Sequence, residues 1–93
     1  MMTPQKKAYE YKRLALSVSE VVAEMLTAAR NEEGVTFVAE FDCDWSKIVN
    51  IYEVDAGERT TSRVLSFVGD TWNETYWQAQ RVVDAFRVAG IRR

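Results

Sequence analysis

The sequence predicts an α+β fold of order α-β-β-β-α, with a three-stranded antiparallel sheet and two helices packed on one face. Three observations carry this. Near both ends of the chain, apolar residues recur at spacings of three and four, the period of an amphipathic helix. In the middle they alternate with polar residues, the period of a half-buried strand. The links between the alternating runs are short, which favours an antiparallel meander over parallel crossovers. At 93 residues the chain is the length of one domain, and residues 1–93 are read as a single domain.

The first helix is expected over about 4–30. Thr3-Pro4 is a start signal, with Thr as N-cap and Pro at the first helical position. Tyr11, Leu14, Val18, Val21 and Met25 then form an apolar stripe, widened by Ala15, Val22 and Ala29. Gly34 is the expected C-terminal stop. A strand is expected over about 35–43, with Val35, Phe37, Ala39, Phe41 and Cys43 facing inward. Asp44-Trp45-Ser46 reads as a turn, 47–54 as the second strand, and Asp55-Ala56-Gly57-Glu58 as a second turn. The third strand is expected over about 61–68. Thr71-Trp72-Asn73-Glu74 has the spacing of a capping box, opening a helix over about 71–89. Trp72, Tyr76, Ala79, Val83 and Phe86 are its apolar stripe.

Composition limits the chemistry. There is no histidine and one cysteine, so no Ser–His–Asp or Cys–His pair and no Cys/His zinc cage can form. Cys43 lies between Asp42 and Asp44, whose charges disfavour a thiolate, and reads as a core thiol. Glu40, Asp42, Asp44 and Asp55 could gather around a hard cation, but carboxylates at such spacing more often mark turns. No catalytic residue, metal or cofactor is therefore expected. No apolar run is long enough to cross a membrane. The N-terminus lacks the apolar core of a signal peptide, so a cytoplasmic protein is expected.

Charge is unevenly spread. Net charge is +3 over residues 1–13, −8 over 14–58 and +3 over 59–93. An uneven field of this kind steers association more than it shapes the fold.

Two features are surplus to a simple domain. A helix over 4–30 would be about 40 Å long, whereas a chain of this size has a diameter near 32 Å. Its N-terminal end, Lys6 to Arg13, should project. There Tyr9 and Leu16 lie opposite the core stripe, beside Lys12 and Arg13. In the last helix, Trp77 falls about 160° from the stripe centre, on the face of Arg81. An exposed Trp beside an Arg matches the residue types of binding hot spots; the plainer alternative is a local cation–π pair with Arg81. The sheet face away from the helices is a third candidate. With Val49 and Ile51 inward, Ile48, Asn50, Tyr52 and Val54 point out; the opposite register would exchange the faces.

The element order resembles that of double-stranded-RNA-binding domains. That family places a lysine cluster at the start of the last helix, where this chain has Asp70 and Glu74, so no RNA-binding residue is carried over. In size, mixed α/β form and lack of catalytic groups, the chain is also similar to small phage-encoded inhibitors, including anti-CRISPR proteins. That resemblance implies a non-enzymatic module which blocks a surface of a larger host protein or nucleoprotein complex. The partner-binding residues expected are Tyr9, Lys12, Arg13, Leu16, Tyr52, Trp77 and Arg81, with homodimerisation compatible. The alternative is a nucleic-acid binder using the basic N-terminal helix and the C-terminal arginines.

Overall fold

In the computed structural model, which describes residues 4–43 and 46–90, helix α1 spans Pro4–Arg30 and strand β1 spans Val35–Phe41. Strands β2 (Ile48–Asp55) and β3 (Glu58–Val68) follow, and helix α2 (Trp72–Val88) closes the order. The sheet is antiparallel, in the order β1-β2-β3. Thr3, Asp44, Trp45, Arg92 and Arg93, and the side chains of Lys6 and Lys7, lie outside the described residues.

Both helices share one core with one face of the sheet. Val22, Ala23 and Met25 of α1 and Ala79 and Val83 of α2 meet Ile51 and Phe67. Phe37, Ala39 and Leu65 pack around this centre. Ile51 pairs with Leu65 and Val49 with Phe67, so the inward register is the one adopted. Ile48, Asn50, Tyr52 and Val54 take the other face, because successive side chains alternate.

α1 is turned slightly from its expected orientation. Its fully buried positions are the small residues Ala15 and Ser19 together with Val22, while Leu14 is 44% exposed and Ala29 is exposed. Small side chains let a helix approach its neighbours closely. Ser19 satisfies its buried hydroxyl by donating to the Ala15 carbonyl at 2.6 Å.

Two strand boundaries and one helix stop differ from expectation, each for a local reason. α1 spans Pro4–Arg30 as expected, but it is stopped by Asn31, which adopts φ 47° while its N–H reaches the Thr27 carbonyl. Asn tolerates this left-handed conformation. Gly34 (φ 81°) instead turns the chain into β1. β1 stops at Phe41, so Cys43 is not a core thiol. It is partly exposed in the following loop, with Sγ 3.7 Å from an Asp42 carboxylate oxygen. β3 begins at Glu58 because the link to β2 is only Ala56-Gly57, both at positive φ (52° and 83°). That is the type I′ hairpin geometry, which favours Asn, Asp or Gly over Ala. Ala56→Asn should therefore raise stability by about 0.5–1 kcal/mol, read as a higher melting temperature; an unchanged or lower one would show that the turn carries no such strain.

The helices also cover the sheet edges. The outward N–H of Phe37 on β1 donates to Thr27 Oγ1 at 2.9 Å. The outward N–H of Val68 on β3 donates to Gln78 Oε1 at 2.8 Å. Each edge thus has a backbone donor occupied by a helix side chain, which hinders pairing with another strand.

Candidate functional site

The wall built by α1, β1 and the start of α2 is rich in aromatic rings. Tyr11 packs on Tyr76 with ring centroids 5.8 Å apart, and Tyr76 meets Trp77 edge-on at 5.0 Å. Phe41 meets Trp72 edge-on at 5.4 Å. The Lys12 ammonium sits over both of these rings, 5.1 Å from Phe41 and 5.7 Å from Trp72. Tyr11 and Lys12 are therefore packed against the domain, so the expected projection does not extend to them. The cause is plain: the stripe reaches Tyr11, and the long Lys12 stem lets its charge rest on aromatic faces.

Four of the expected contact residues come together. Tyr9, Lys12, Arg13 and Leu16 line one groove of about 340 Å³ with Ser17 and Phe41. Tyr9 is 62% exposed and Leu16 is half-buried. Phe41 joins this wall although strand alternation marks it only as an inward residue. The signal that could have found it is its place at the end of the strand, past the last core layer.

Trp77 and Arg81 line a second depression with Asn73, Glu74 and Gln78. Trp77 is 49% exposed. Its ring contact is with Tyr76, and no cation–π contact with Arg81 forms among the described residues. One edge of the indole is thus fixed by Tyr76 while the rest meets solvent. The start of α2 beneath it is capped: Thr71 Oγ1 accepts from the Glu74 N–H at 3.2 Å. The Glu74 carboxylate accepts from the N–H of Asp70 at 2.9 Å. The capping box is therefore one residue wider than its ideal form, in which Glu would return to the Thr N–H.

Tyr52 lies on the far sheet face and joins neither group. The Arg59 guanidinium stacks over its ring at 4.1 Å and reaches Glu40 at 3.4 Å. Beside it Asn50 is fully buried, donating to Asp42 at 2.9 Å and accepting from Ser66 at 2.7 Å. This face, the third candidate surface, is in part covered by its own polar and charged side chains; Val64 and Val68 remain exposed on β3.

Among the described residues the carboxylates do not gather. Glu40 pairs with Arg59 and Asp42 with Asn50, while Asp55 lies at the opposite end of β2, across from Val35. Strand geometry separates Asp55 from Asp42 by about 20 Å. Among the described residues no group of three potential ligands could hold a metal ion. The other charged cluster, Arg30 with Glu32 (2.8 Å) and Glu53 (3.1 Å), ties the end of α1 to β2. The hydrogen bond and charge of Glu32, then the charge of Glu53, raise the Arg30 pKa above its ordinary value. Among the described residues no helix is long and apolar enough to cross a membrane.

Comparison with protein-family models, curated proteins and solved structures gives no match. The candidate surfaces therefore rest on the geometry of this chain alone.

Proposed function

We propose that this chain is a non-enzymatic protein-binding module that acts by occupying a surface of a larger protein or nucleoprotein complex. The observation that carries this reading is Trp77, half-exposed on the outer face of a firmly capped helix. A large apolar ring held by one neighbour loses little freedom when a partner covers it. Arg81 beside it supplies charge and directional hydrogen bonding. The groove of Tyr9, Lys12, Arg13 and Leu16 offers a second contact of the same mixed character. Inhibition by coverage is the mode such a module would use, as in the small phage-encoded inhibitors that the chain resembles, and such a partner would be met in the cytoplasm.

Nucleic acid is the weaker reading because several cations are already engaged. Lys12 rests on two aromatic rings, Arg30 pairs with Glu32 and Glu53, and Arg59 pairs with Glu40. Asp70 and Glu74 at the start of α2 would repel phosphate.

Trp77→Ala should weaken partner binding by about 2 kcal/mol, roughly 30-fold. Its unfolding free energy should stay within about 0.5 kcal/mol of the parent, as for other surface positions. Unchanged affinity with lost stability would reassign Trp77 to the fold.

A further inference from the structure

We propose that the outer face of α1 is the contact between two copies of this chain, laid antiparallel about a two-fold axis between Leu16 and Ser17. This rests on the reading of that face as a protein-binding surface, and it names the occupant.

Along this side of α1 run Tyr9, Arg13, Leu16, Ser17, Glu20 and Glu24. Their spacing is the same read from either end, so a two-fold axis at the midpoint sets Arg13 opposite the partner's Glu20, and Glu20 opposite the partner's Arg13. All are exposed except Leu16, which is half-buried beside the axis.

Charge argues for a second copy. The N-terminal half of the helix is basic and its middle is acidic. Within one chain this arrangement is unfavourable. The first turn has no acidic residue to match the helix dipole. Neither Arg13 nor Glu20 forms an ion pair among the described residues. An antiparallel copy opposes the two dipoles and brings each basic half against an acidic one. An acidic peptide or a phosphate would satisfy only the basic half.

Size sets the strength. The face from Tyr9 to Glu24 is about 22 Å long and 10 Å wide, giving about 220 Å² per copy, under a third of a standard interface. The expected dimer is therefore weak, and it leaves Trp77 on α2 available to another partner.

Sedimentation equilibrium of the full chain tests this, from about 1 to 500 μM at low salt and again at high salt. A monomer–dimer equilibrium in the tens to hundreds of micromolar is expected, weakened by salt. Arg13→Glu and Glu20→Arg should each weaken it tenfold or more, because each sets like charges across the axis twice. The double variant Arg13→Glu/Glu20→Arg should restore parental association. Thermal melts of the variants establish that each is folded. A monomer at every concentration, single variants without effect, or a double variant weaker than both singles would overturn the dimer. A monomeric chain whose Tyr9 groove still binds a foreign protein would overturn only this inference and leave the binding-module reading intact.

Discussion

Phe67→Ala is expected to remove about 3–5 kcal/mol of folding stability, the range for truncating a buried aromatic side chain. Among the described residues Phe67 is the largest fully buried side chain, and it lies where the sheet meets both helices. A chain of this size has roughly 5–14 kcal/mol in total, so about a fifth or more would be lost. The melting temperature should fall by at least about 12 °C. A loss below about 1 kcal/mol would mean that the helices do not depend on this ring. The contrast with Trp77→Ala is the useful part. Both remove a large aromatic ring, yet the first should damage the fold and the second only binding.

Gly69→Ala is expected to cost about 1–3 kcal/mol, the usual penalty of overpacking. Gly69 is not at positive φ; it is needed for space. A Cβ there would lie 2.7 Å from Glu74 Cβ, 2.8 Å from the Thr75 nitrogen and 2.9 Å from the Thr71 oxygen. Two of these are backbone atoms, so relief requires the first turn of α2 to move. That turn holds the Thr71–Glu74 cap and the buried Thr75, whose hydroxyl donates to the Lys47 carbonyl at 2.6 Å. The effect should appear in chemical denaturation as a lower midpoint with an unchanged slope. A midpoint equal to the parent's would show that the loop before α2 accommodates the methyl without disturbing the cap.

Element order and both helices were legible because each rests on a long periodic pattern or a local start signal. The strand register followed from alternation once Val49 and Ile51 pointed inward. Other features depended on tertiary distance. In the sequence Ala15 only widens the stripe that contains Leu14, and Ser19 is not part of it, yet close packing selects these small residues and leaves the larger Leu14 at the rim. Cys43 continued an inward alternation, but β1 ends before it. The two-ring seat of Lys12 joins residues from three separate elements, which periodicity within one element cannot reveal. For the candidate surfaces, helical phase placed Trp77 on an outer face, and it grouped Tyr9 with Leu16. It could not place Tyr52, whose cover by Arg59 depends on the offset of β3 against β2.

Protein binding by the exposed aromatic faces is tested most directly by capture from extract of the native host with immobilised parent, Trp77→Ala and Tyr9→Ala chains, with recovered protein and nucleic acid both quantified. The parent should recover a protein in stoichiometric amount, and Trp77→Ala should reduce that recovery at least about tenfold, at equal thermal stability. Recovery of nucleic acid that falls steeply with salt, or the same protein at the same level on all three chains, would contradict protein binding by these faces.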